Sequence, residues 1–165
     1  MSDCRRNAIV ALAELAGQVR RGTLRLLQVP DESWLTWAPC GTSNHILWHA
    51  GHALWVQDVL AIEPLTGVSE LPRDWERRFG QHCQPVAETT EWPAAEDVAA
   101  LLARQLERVS ELLVKHAEVI SERAVDAPQD DGWPLLAGMI HAWHDEARHQ
   151  GEMYLLQKLC RARAS

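Results

Sequence analysis

The chain has 165 residues, a net charge of −7 and 47% hydrophobic content, the size of one ordinary domain able to bury a core without disulfide or metal staples. Its arginines are spread out, and even the densest basic group (Arg20, Arg21, Arg25) falls short of the concentrated surface that binds a phosphate backbone, which excludes nucleic acid as a partner. No apolar run approaches the roughly 20 residues of a membrane span. The opening Met1-Ser2-Asp3-Cys4-Arg5-Arg6 lacks the charged-then-apolar order of a secretory signal, so a cytoplasmic location is expected.

Strand-like alternation is nearly absent, and four helical stretches follow one another. The first runs from about Asp3 to Gln28, with Ile9, Leu12, Leu15, Val19, Leu24 and Leu27 at helical spacing. It stops at Val29-Pro30, because a residue before proline is pushed out of the α region. The second spans about Ser43 to Ile62, with Thr42, Ser43 or Asn44 available as N-cap. A connection of nearly thirty residues follows, from about Glu63 to Glu91. It is too long for a hairpin loop and is expected to cross over the other helices, packed down through Trp75 and Phe79.

The third helix starts after Trp92, with Pro93 suited to its first position and Glu96 and Asp97 complementing the positive helix end. Val98, Leu101, Leu102, Leu106, Val109, Leu112, Leu113, His116 and Ile120 then keep one apolar stripe over six turns. The fourth opens at Gly132-Trp133-Pro134 and runs to about Arg161, with a basic end formed by Lys158, Arg161 and Arg163. Four long amphipathic helices without strands give an all-α class, an antiparallel four-helix bundle with a long crossover between helices two and three. The whole of 1–165 reads as a single domain.

Composition adds two constraints. Cys4, Cys40, Cys83 and Cys160 are far apart and make no C-x-x-C pair, which argues against a zinc ribbon and a disulfide framework. Eight Trp against one Tyr and one Phe is unusual. Several of the indoles are expected to wall a cavity or an interface, and the others to fill the core.

Six of the eight histidines fall in two short windows, His45, His49 and His52 on the second helix and His141, His144 and His149 on the fourth. Facing helices of a bundle can bring such windows together as metal ligands. At about 100° per residue, Asp145 and His149 lie within about 40° of each other, on the face shared by Ala142, Met153 and Leu156. His144 lies about 140° from His149, and Glu146 is turned away from the shared direction. His45, His49 and His52 are four and three apart, so geometry alone does not separate them. One imidazole from that face plus Asp145 and His149 makes a two-His, one-carboxylate set with coordination positions left open, the arrangement of a catalytic metal. His116 and His82 are read as a core-boundary and a surface residue.

Gly51-His52-Ala53, in a Trp-containing second helix, resembles the G-H-L-A element of the DinB-like superfamily, the YfiT-type metal-binding bundles. His144 to Glu152, with His149-Gln150-Gly151-Glu152 at its end, resembles that superfamily's fourth-helix motif. Leu71-Pro72, Trp75, Phe79 and Trp92-Pro93 fit as well, so the likeness covers nearly the whole chain. It implies His52, Asp145 and His149 as ligands of one divalent ion (Zn, Ni, Fe or Mn) and a homodimer. Many members carry His where Asp145 stands, and His144 or His141 are the alternatives at that place.

The resemblance also implies a metal-dependent transferase that uses a small thiol of the mycothiol, bacillithiol or glutathione type on a small-molecule substrate. The open metal position would acidify the thiol, with Glu146, Glu152 or His49 assisting proton transfer. Two further readings use the same residues: a metal hydrolase that needs no thiol, and a non-catalytic, stress-related metal- or ligand-binding protein.

Overall fold

The first helix, α1 (Asp3–Leu26), is amphipathic in an unexpected way. Ile9, Ala16, Arg20, Thr23 and Leu27 are buried at helical spacing, so two polar side chains share the inward stripe. In the computed structural model, which describes residues 3–42, 44–81, 92–122 and 134–164, every described element is helical. Ser43, His82, Cys83 and the Gly132-Trp133 pair lie outside the described residues, as does the side chain of Cys4.

A short 3-10 turn (Glu32–Trp34), capped by Asp31 through its bond from the Ser33 N–H, leads to α2 (Ile46–Gln57). The N-cap of α2 is not one of the three residues expected but His45, whose Nδ1 accepts from the Trp48 N–H at 3.1 Å. From Ile46 to Leu54 every residue of α2 is buried. The helical path continues through a wide turn (Asp58–Ile62), where the Glu63 N–H reaches back five residues to the Asp58 carbonyl, into α3 (Glu63–Thr66). Gly67, at φ 80°, ends it in the left-handed conformation that suits glycine. The connection then folds back as α4 (Trp75–Phe79), with both aromatic rings buried against α2.

Helix α5 (Ala95–Lys115) begins later than expected. Ala94 is its N-cap and Pro93 precedes it, outside the first turn. Its stripe of Val98, Leu102, Val109, Leu112 and Leu113 is buried as read, with Gln105 among them. The stripe is not one helix, however: it breaks at His116 and resumes as α6 (Ala117–Glu122). Pro134 precedes α7 (Leu135–Ala164), the longest element.

Two apolar clusters hold these helices together. One joins Leu27, Leu35, Ile46, Trp48, Leu54, Trp75, Phe79, Val98, Leu102 and Met153. The other joins Ile9, Ala16, Ile62, Val109, Leu113, Ile120, Met139 and Trp143. Polar contacts set the senses of the helices. Thr23 of α1 meets Glu146 and Gln150 of α7, and further along both helices Gln157 donates to the Leu26 carbonyl. Helix α2 meets α7 in the reverse sense, His49 beside Glu152 and His52 beside Asp145. Arg20 of α1 donates to the Leu102 carbonyl and to Gln105 of α5, and Gln105 donates to the Leu54 carbonyl of α2. Arg20 is therefore an interior residue rather than part of a basic surface patch.

Candidate metal centre

The second-helix histidine window lies on α2 opposite the fourth-helix window on α7, and the two meet at a line of imidazoles. His52 owes its placement to its neighbour. The backbone of Gly51 lies so close to the Phe79 ring that a Cβ at this position would overlap it. The close approach is held by the Trp75 indole N–H, which donates to the Gly51 carbonyl at 3.0 Å. It brings the Phe79 carbonyl to 2.6 Å from His52 Nδ1. A carbonyl only accepts, so Nδ1 carries the hydrogen and the lone pair sits on Nε2. Trp48 stacks on the His52 ring at 4.6 Å between centroids, and Trp55 packs against it at 5.4 Å.

From α7, Asp145 and His149 reach the same point. Asp145 Oδ2 is 3.7 Å from His52 Nε2 and 3.3 Å from His149 Nε2. That oxygen is buried and has no hydrogen-bond partner. His52, Asp145 and His149 each place one donor atom within 4.8 Å of the others. Separations of 3.3 and 3.7 Å suit two ligand atoms on one tetrahedral ion, which stand about 3.3 Å apart at ordinary Zn–N and Zn–O lengths. Burial pushes His52 below its usual range, so its imidazole is neutral and able to ligate. Burial alone would raise Asp145, but the surrounding histidines, His149 first and then His52 and His141, hold its carboxyl low.

The remaining candidates separate clearly. His49 is buried and held near a pKa of about 3, first by burial and then by the charges of His149, His45 and His52. Its ring nitrogens face His149 and Glu152. His45 is the helix cap, with a pKa lowered by burial to about 4, and its ring stands edge-on to Trp92. His144 is exposed and belongs to neither donor group. His141 is half-buried and lines the cleft beside Asp145. Glu146 is no proton carrier for this site: it is buried among Arg20, Thr23 and Gln57. Sequence reasoning missed that network, and the one available signal was Arg20 and Thr23 on the apolar stripe of α1.

His52 and Asp145 open on a cleft of about 380 Å³ lined also by Trp55, Val56, Val59, Leu60, Gln81 and His141. A family model described as the DinB superfamily matches residues 16–153. The chain belongs to the DinB superfamily. The match spans every residue of the donor set and of the Arg20–Glu146 network. No curated protein matches the chain. Among the described residues of this DinB protein, no helix is long and apolar enough to cross a membrane.

Proposed function

We propose that this DinB protein is a divalent-metal protein whose ion is held by His52 Nε2, His149 Nε2 and Asp145 Oδ2. One observation carries the reading: three lone-pair donors converge, and the carboxylate oxygen among them is buried without a partner. Leaving such an atom unsatisfied costs about 1–3 kcal/mol, a penalty that a bound cation removes. The frame is proposed to be a four-helix bundle of α1, α2, α5 and α7. The two apolar clusters, one joining Ile46 with Val98 and the other Ile62 with Val109, support α2 and α5 running alongside each other in the same direction, which requires the long crossover.

The activity we propose is thiol-dependent transfer to a small electrophile, with a homodimer in the cytoplasm as its setting. A divalent ion at this site supplies the Lewis acidity that acidifies a thiol. The protein's own contribution is binding and exclusion of water. His52 presents a neutral imidazole, and Trp55, Val56, Val59 and Leu60 form an apolar wall suited to an uncharged substrate body.

Metal content per chain, measured by mass spectrometry on wild type, His52→Ala and His149→Ala, tests the centre. About one ion in wild type and none in either variant is expected. A wild type that takes up no Zn, Ni or Mn overturns it. A screen of thiols with electrophiles then tests the activity. Turnover in thiol-free buffer points to a hydrolase instead, and tight binding without turnover to a ligand-binding protein.

A further inference from the structure

Behind the three-donor set, a second line of groups runs from His149 toward solvent. His49 Nδ1 lies 2.7 Å from His149 Nδ1, and His49 Nε2 lies 3.2 Å from Glu152 Oε2. Glu152 is 59% exposed and sits at a separate cleft bordered by Asn44, Leu155 and Leu159. The hydrogens along this line are determined by what each end can do. An ionised carboxylate only accepts, so His49 Nε2 carries the hydrogen that faces it. A neutral imidazole then has a bare Nδ1, which accepts, and His149 Nδ1 must donate. His149 is left with a bare Nε2, the atom that faces Asp145 Oδ2.

The same atoms invite another reading, because His49, His149 and Glu152 each offer one donor within 4.8 Å and so form a second possible cation set. Glu152 Oε2 stands 3.2 Å from His49 Nε2 and 3.7 Å from His149 Nδ1, so the spacing of the two imidazoles is what favours the hydrogen-bonded line. At 2.7 Å the two Nδ1 atoms stand at hydrogen-bond distance. Two nitrogens on one tetrahedral ion are about 3.3 Å apart, the separation found on the other side of His149 rather than here.

We propose that His49 and Glu152 are positioning residues: they hold His149 as the Nδ1–H tautomer, with Nε2 aimed at the metal set. The Phe79 carbonyl does the same for His52. Both imidazoles are thus oriented from behind, one by a backbone carbonyl and the other by a histidine–carboxylate pair. A carboxylate at the end of such a chain also makes the ligand nitrogen a better donor. The inference rests on the metal-centre reading, but its first test does not need metal.

The test uses the full-length metal-free chain and long-range proton–nitrogen NMR of its histidine rings, in wild type, Glu152→Ala, Glu152→Gln and His49→Ala. Wild-type His149 is expected as the Nδ1–H tautomer. Glu152→Ala and His49→Ala should admit the Nε2–H form, while Glu152→Gln, whose amide oxygen still accepts, should retain the wild-type pattern. Because Glu152 is exposed, its variants test the chain even if His49→Ala folds poorly. Zn²⁺ affinity, measured by competition with a chromophoric chelator, should fall about 10- to 100-fold in Glu152→Ala and less in Glu152→Gln, at an unchanged one ion per chain.

Predominantly Nε2–H His149 in the wild type overturns the proposal, as does a tautomer indifferent to both alanine variants. Two Zn²⁺ per wild-type chain, reduced to one in Glu152→Ala, also overturns it in favour of the second cation set. Wild type that binds no Zn²⁺ defeats the metal-centre reading alone, since the tautomer is read without metal.

Discussion

Asp145 and Glu146 are adjacent carboxylates on α7, both packed into the protein, yet they live in opposite circumstances. Glu146 Oε1 stands 3.1 Å from Arg20 Nε, takes a bond from the Thr23 hydroxyl, and its other oxygen takes one from Gln57. Arg20 in turn donates to the Leu102 carbonyl and to Gln105, so protein groups on α1, α2 and α5 surround the charge pair. Asp145 is surrounded by histidines and leaves one buried oxygen without a partner. About 100° of helical rotation separates the two side chains. One points where the fold supplies a donor to each oxygen, and the other points where it supplies imidazoles. A carboxylate of the first kind ties helices together; one of the second kind is ready for a ligand from outside.

The contrast predicts different outcomes for similar substitutions. Glu146→Ala should have the largest effect, because it strands a fully buried guanidinium; a loss of about 3–5 kcal/mol is expected in urea denaturation. Pairing it with Arg20→Met should recover much of that loss, and a double variant as unstable as the single one would break the account of the network. Gly51→Ala should cost about 1–3 kcal/mol, since the added methyl must displace the Phe79 ring. The same substitution should weaken metal uptake by moving the carbonyl that orients His52.

His45 sharpens the comparison through pH. Its folded-state pKa of about 4 lies below the ordinary 6.5, so the native protein resists a proton that the unfolded chain accepts. Its contribution is complete above pH 6.5 and is lost as the pH falls from 6.5 toward 4, by roughly 1 kcal/mol per pH unit. His49 adds to the loss in the same sense, down to about pH 3. His45→Asn keeps an N-cap acceptor and should flatten part of this slope in denaturant midpoints measured across that range.

Asp145→Asn should abolish metal uptake while changing the stability of the metal-free protein by no more than about 1 kcal/mol. A large destabilisation would show that Asp145, like Glu146, is a structural tie. The smallest effect belongs to Arg108→Ala. Its bidentate contacts with Glu70 at 2.9 to 3.2 Å are half-exposed, and about 0.5 kcal/mol or less is expected in the same denaturation assay.

Much of the fold was legible because its signals are local. Proline marks the end of α1, and the stripe of Val98, Leu102, Val109 and Leu113 follows one helical period. The break at His116 was not legible, since the apolar period continues across it and only packing against α1 and α7 reveals two segments. At the site, the two histidine windows were legible as a pair that facing helices could bring together, and they do meet. The separate roles of His45, His49 and His52 were not, because they share one helix face and differ in what packs against them. Trp48 N–H sits at the first, His149 at the second, and the Phe79 carbonyl at the third.

The amino-acid sequence by itself determined the all-helical class and the helix-borne pairing of Asp145 with His149, because helical periodicity depends only on spacing along the chain. The tertiary structure alone decided which polar groups are satisfied. Arg20 reads as a surface cation until α5 and α7 close around it, and Asp145 reads as one more acid until α2 sets His52 against it and leaves its buried oxygen without a partner. Partners for buried charges come from residues distant in the chain, up to 126 positions apart for Arg20 and Glu146, and no local pattern encodes them.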